Sequence, residues 1–139
     1  MSKEACPLCQ PSPHETLWQD DFCRVVLLND VDYPAYCRVE LLAHIKEMSD
    51  LQAPQRVRMM QVVFAVETAL REILNPDKIN LASLGNKTPH IHWHIIPRFE
   101  NDKHFPNSHW SEALRETEFE PLNDVVKLTL ADKIKAHIQ

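Results

Sequence analysis

The chain has 139 residues, 44% of them apolar, which suits one domain built around one hydrophobic core. A net charge of -5 argues against a nonspecific nucleic-acid surface, which needs a basic excess to neutralise phosphates, yet leaves room for a small anion at a local site. No stretch has the length of a transmembrane helix, and the start Met1-Ser2-Lys3-Glu4-Ala5-Cys6 lacks the apolar run of a signal peptide; the expectation is a cytoplasmic protein without a membrane partner.

Residues 1–15, with Pro7, Pro11 and Pro13, read as an irregular lead-in that only a metal or packing would order. Thr16 to Gln19, Phe22 to Leu28 and Tyr36 to Ala43 are short, rich in β-branched or aromatic residues and separated by polar or proline-containing turns, which predicts an antiparallel meander. From Pro54 to Asn75 the residues Met59, Val63, Val66, Leu70 and Ile73 recur at helical spacing, with Pro76 just past the end. Lys78 to Leu84 alternates as a strand and feeds the turn Gly85-Asn86-Lys87-Thr88-Pro89, after which a further strand runs to Arg98. Leu122 to Ile138 carries Val126, Leu130, Ile134 and Ile138 at i+4 spacing, the mark of a terminal helix. These elements predict an α+β domain, an antiparallel sheet of about five strands covered by one long helix and a C-terminal helix. The expected organisation is a lead-in at 1–15, a main domain at 16–110 and a helical extension at 111–139. Gly85 is the only glycine, which excludes the glycine-rich phosphate loops of P-loop and dinucleotide-binding folds.

The fifth predicted strand holds the chemistry. In Pro89-His90-Ile91-His92-Trp93-His94-Ile95-Ile96-Pro97-Arg98 the three histidines alternate with apolar residues, so a strand would present His90, His92 and His94 in one row. The residues alone leave three readings open: a polar strand face, a metal site of neutral imidazoles, or covalent catalysis by one imidazole attacking phosphorus. The last needs a fixed tautomer, supplied when one ring nitrogen donates to a carbonyl and leaves the other lone pair free.

The run His90-Ile91-His92-Trp93-His94-Ile95-Ile96 closely resembles the motif of the histidine triad superfamily, His-x-His-x-His and two apolar residues. The segment Asn80-Leu81-Ala82-Ser83-Leu84-Gly85-Asn86 also looks like that family, and the resemblance spans about residues 16–110. It implies the family's fold and a nucleotide hydrolase or nucleotidyl transferase, a homodimer needing no cofactor for its chemical step. The substrate class it suggests is a dinucleoside polyphosphate or a nucleoside phosphoramidate. By position, His92 would be the nucleophile on the α-phosphate, His94 would contact the scissile phosphate and assist the leaving group, and His90 would support the geometry. Asn86 would approach phosphate oxygens with Lys87 adding charge, and Asp30 would bind ribose hydroxyls. Asn86 and Asp30 read equally as turn formers, and Leu27 and Leu28 as either base contacts or core. The alternatives are a zinc hydrolase using the three histidines as ligands, and a nucleotide-binding module with little catalysis.

One family segment is altered. Tyr36-Cys37-Arg38-Val39-Glu40-Leu41-Leu42-Ala43-His44 keeps the final histidine, His44, but lacks an upstream one; counting from Asp30 puts Arg38 there, and counting back from His44 puts Tyr36 there. Cys6-Pro7-Leu8-Cys9 has zinc-like spacing but is half a tetrahedral shell. Relatives complete a structural zinc with histidines at the positions of His44 and His90, so the resemblance implies a site of Cys6, Cys9, His44 and His90. The pair by itself reads equally as exposed thiols in an unordered tail. His14, His104, His109 and His137 are expected at the surface, and Arg98, Trp110 and the loop between them as an exposed loop or a cover over the ligand.

Overall fold

The computed structural model describes residues 1–138. Five strands, β1 (Glu15–Gln19), β2 (Cys23–Leu27), β3 (Cys37–Leu41), β4 (Lys78–Ala82) and β5 (His92–Arg98), form one antiparallel sheet in the order β1-β2-β3-β5-β4. The helices are α1 (Ala53–Leu74) and α2 (Asp124–Ile138), and short 3-10 turns stand at Pro7–Cys9 and Met48–Asp50. No helix among the described residues is long and apolar enough to cross a membrane.

Pairing register assigns the two sheet faces. Val25 lies opposite Val39 and Val39 opposite Trp93, while Cys37 and Leu81 both lie opposite Ile95. This apolar face packs on Met59, Val62, Val63, Val66 and Leu70 of α1, and Leu130 and Ile134 of α2 join the same core. The alternate residues, Arg24, Arg38, Glu40, His92, His94 and Arg98, occupy the other face. The chemistry-bearing side is therefore dictated by period two, with α1 as the backing.

Helix α1 starts at a capping box between Gln52 and Gln55, with Pro54 in its first turn. It stops at Asn75, which takes a left-handed conformation with φ 46° just before Pro76. Helix α2 lies against α1 and β1, and Lys133 and His137 both engage Glu72.

The triad strand is shorter than the alternation suggests. His90 and Ile91 lie ahead of β5 because their backbones answer to a bend rather than a strand: Ile91 N–H donates to the Ile45 carbonyl and Leu41 N–H to that of Ile91. A single row of three imidazoles is thus replaced by a pair, His92 and His94, with His90 turned elsewhere. β3 and β4 likewise end at Leu41 and Ala82, earlier than their apolar patterns; beyond β4 the Ser83 hydroxyl donates to the His92 carbonyl at 2.7 Å.

Candidate active site and metal cluster

His92 Nδ1 lies 2.6 Å from the His90 carbonyl oxygen. A carbonyl only accepts, so Nδ1 carries the proton and Nε2 keeps its lone pair. Burial lowers the His92 pKa, which holds the ring neutral, as a nucleophile requires. His94 stands edge-on to it, ring centroids 5.0 Å apart.

His94 Nδ1 lies 2.5 Å from the Tyr36 hydroxyl. Burial raises the Tyr36 pKa, so the phenol stays protonated; with no other partner among the described residues, its O–H donates to Nδ1. The His94 proton then sits on Nε2. Burial, and next the neighbouring His92 and Arg38, push the His94 pKa down to about 3, so the ring is neutral at pH 7.

Both replacements for the missing histidine find places. Tyr36 takes the hydrogen bond to His94, whereas Arg38 lies directly across the β3–β5 ladder from His94. Glu40, fully buried, accepts from Arg38 Nε at 2.5 Å and from Arg24 Nε at 2.7 Å. Arg24 also donates to the carbonyls of Gln10 and Leu8, tying the N-terminal arm to the sheet. Sequence reasoning passed over Arg24 and Glu40, although the alternate charges Arg38 and Glu40 in the otherwise apolar β3 and the lone Arg24 in β2 were the available signal.

The arm carries Cys6 and Cys9 to His44 and His90. His90 Nδ1 lies 3.4 Å from Cys6 Sγ, 3.6 Å from Cys9 Sγ and 3.2 Å from His44 Nδ1, and Cys9 Sγ lies 3.2 Å from His44 Nδ1. All four ligand atoms fall within 4.8 Å of one another. A tetrahedron with ordinary zinc bond lengths has N–N edges of about 3.3 Å and N–S edges of about 3.5 Å. The opposite ring nitrogens are also spoken for: His90 Nε2 donates to the Leu41 carbonyl at 2.6 Å and His44 Nε2 to that of Met1 at 3.1 Å. Such bonds orient histidine ligands toward a metal. The cluster can hold a metal ion. Cys23 and Cys37 stay outside it, and burial pushes both thiols up to about 12.

The loop after β5 is organised by Asp102, which is fully buried. Its carboxylate accepts from Arg98 at 2.8 and 3.0 Å, from Tyr33 at 3.2 Å and from the N–H groups of Phe99, His104 and Phe105. Burial opposes ionisation here, but Arg98 and these N–H groups outweigh it and hold the carboxyl well below the usual carboxylate range. Arg98 is accordingly a buried brace, not a ligand cover. His104 and His109 are half-buried rather than surface groups: His104 Nδ1 meets the Tyr33 hydroxyl at 2.7 Å, and His109 packs on Tyr36 and on Trp110. His14 is half-buried too, whereas His137 is exposed. Trp110 is 51% exposed and sets its edge on His94 at 5.1 Å between centroids.

Asp30 receives the N–H groups of Asp32 and Tyr33 and so caps its own turn. Leu27 belongs to the core, whereas Leu28 packs with Tyr33, Tyr36 and Ile96 on the triad side. Asn86 and Lys87 are exposed on the turn before His90. A cleft of about 540 Å³ opens beside Leu28 and Asp30 under residues 116–119; none of the triad histidines lines it.

The HIT domain, the histidine triad family, matches residues 10–101. A search of curated proteins finds no match. Among solved structures, a histidine triad protein from Bradyrhizobium japonicum aligns with TM-score 0.70 and 26% identity, covering 91% of this chain and 91% of that one. A zinc-bound histidine triad family protein from Mycobacterium smegmatis aligns with TM-score 0.68 and 19% identity over 97% and 96% of the two chains. A hypothetical histidine triad nucleotide-binding protein from Sulfolobus tokodaii gives 0.62 and 16% over 96% and 91%. With the motif on β5, the five-stranded sheet and the domain match in agreement, this chain belongs to the histidine triad family.

Proposed function

We propose that the protein is a nucleotide hydrolase or nucleotidyl transferase that works at an α-phosphate through a covalent His92 intermediate. The observation that carries this reading is the Nδ1–H bond from His92 to the His90 carbonyl, which leaves a neutral ring with one free lone pair. In the first step the Nε2–P bond forms and the bond from phosphorus to the leaving group breaks, the leaving group taking the electron pair. In the second, water attacks phosphorus, its proton passes to solvent, and the N–P pair returns to Nε2. His94 offers its Nε2–H to the scissile phosphate. Asp30 serves the ribose, and Asn86 and Lys87 the phosphate oxygens. A homodimer is the expected assembly.

Cys6, Cys9, His44 and His90 suit a structural zinc, since four protein ligands leave no open coordination position. The zinc-bound relative supports that choice of metal. When bound, the ion would tie the arm to His90, two residues before the nucleophile. A catalytic zinc shared by the three histidines fits less well, because His90 has Nδ1 among Cys6, Cys9 and His44 and Nε2 on Leu41, with no nitrogen left to share with His92.

The test is mass spectrometry after brief exposure to a panel of adenine and guanine nucleotides. One nucleoside monophosphate on the His92 peptide is expected, and His92→Ala should lose turnover by a factor of about 10⁴ or more while keeping nucleotide affinity. Turnover surviving in His92→Ala would sink the mechanism; binding without any adduct or turnover in the unaltered protein would favour the binding module.

A further inference from the structure

The charges under the triad do not balance. Arg24 and Arg38 share the single carboxylate of Glu40, so the group carries one surplus positive charge on a face that is largely buried. Arg24 engages both terminal nitrogens as well, on the Leu8 and Gln10 carbonyls. Arg38 does not: its Nε is held by Glu40, but its two terminal nitrogens donate to nothing among the described residues, and its side chain is 18% exposed. Residues directly opposite on an antiparallel ladder have Cβ atoms about 5 Å apart, which sets Arg38 beside His94 on the same face. An oriented, unpaired guanidinium fork in such a place is half of a bidentate phosphate contact.

His94 is the group expected to assist departure, and its surroundings restrict what it can do. The Tyr36 hydroxyl occupies Nδ1, and Arg38 adds a permanent positive charge opposite the ring. Both features leave a neutral imidazole that offers a hydrogen bond but has no second proton to give. An amine expelled from phosphorus must gain a proton as the P–N bond breaks. A polyphosphate leaves as an anion, keeping the P–O electron pair, and needs only positive charge near its oxygens.

We propose that Arg38 determines the leaving group: its guanidinium takes up the charge growing on a departing phosphate chain, so the enzyme prefers dinucleoside or nucleoside polyphosphates to nucleoside phosphoramidates. This rests on the nucleotidyl-transfer reading above and deepens it by choosing between the two donor classes. Glu40 and Arg24 act as positioning residues that aim the fork, and Tyr36 as the one that holds His94 as a donor.

The experiment compares kcat/KM for two donors of the same adenylyl group, a diadenosine tetraphosphate and an adenosine 5′-phosphoramidate, in the unaltered protein and in Arg38→Met and Arg38→Lys. The unaltered enzyme should favour the tetraphosphate. In Arg38→Met the ratio should move toward the phosphoramidate by about 100-fold, and Arg38→Lys, which keeps charge but loses the fork, should fall between. A native preference for the phosphoramidate, or an unmoved ratio in a folded Arg38→Met, overturns the proposal. If Arg38→Met does not fold, the native ratio and Arg38→Lys decide the matter. Failure of the covalent reading shows differently, as no adduct on His92 from either donor. The anion site is then judged by calorimetry with inorganic pyrophosphate, where equal affinity in the native protein and Arg38→Lys overturns it.

Discussion

The two ends of β5 are secured in opposite ways. At its start, His90 joins Cys6, Cys9 and His44, groups up to 84 residues apart whose ring nitrogens and sulfurs face inward on one another. At its end, Arg98 and Asp102, four residues apart, form a buried ion pair with every carboxylate oxygen engaged. The first arrangement asks for an ion to hold it together; the second is complete in itself. The pair His92 and His94 stands between a cluster that could hold a metal ion and a brace that is already paired.

Breaking the self-contained end should cost most. Asp102→Ala leaves the Arg98 guanidinium buried without its partner, and chemical denaturation should show a loss of about 3–5 kcal/mol. Removing the ion from the other end comes next. Dialysis against a strong chelator, or Cys9→Ser, should lower the melting temperature by about 10 °C, and restoring zinc should reverse the first but not the second. An unchanged melting curve with no zinc in the native protein would leave the arm held without a metal, by Arg24 and by His44 on the Met1 carbonyl.

The smallest effect is expected from pH. His94 and His109 have their pKa values lowered to about 3 and about 4, chiefly by burial. His94 faces His92, Arg38, Tyr36 and His109; His109 faces Asp30, Arg98, His104 and Asp102. A lowered folded-state value means the unfolded chain takes up the proton first. Stability is therefore full above the ordinary histidine pKa, near 6.5, and falls as pH drops from there toward 4. Between pH 6.5 and 5.5 each group should remove about 1 kcal/mol, read as a melting temperature lower by roughly 5 °C. A flat profile over that interval would assign both rings a wetter setting.

Sequence pattern was a good guide wherever one face of an element is apolar. The α1 stripe from Met59 to Leu70 and the alternation in β2, β3 and β5 were legible because burial imposes periods of 3.6 and two. The pattern misled at His90 and Ile91, where strand alternation continues in the residues but the backbone of Ile91 bonds to Ile45 and Leu41 and the His90 N–H to the Thr88 carbonyl. No local rule contains the Ile91 bonds, since Leu41 and Ile45 lie in a distant segment. The same holds for Asp102, whose importance comes from five donor groups gathered from Tyr33, Arg98 and its own loop. The sequence offers both Arg38 and Tyr36 as substitutes for one missing histidine; the structure puts Arg38 opposite His94 and brings the Tyr36 hydroxyl to its Nδ1.

The group that orients His92 is a main-chain oxygen, which constrains how substitutions can reach the ring. A carboxylate orienter can be deleted by one codon change, but the carbonyl of residue 90 persists whatever side chain stands there. The tautomer of His92 is thus insensitive to the side chain at residue 90 and exposed to movement of the backbone there. That residue also meets the N-terminal arm through Cys6 and Cys9, so substitutions about 80 residues upstream can shift the aim of the His92 ring.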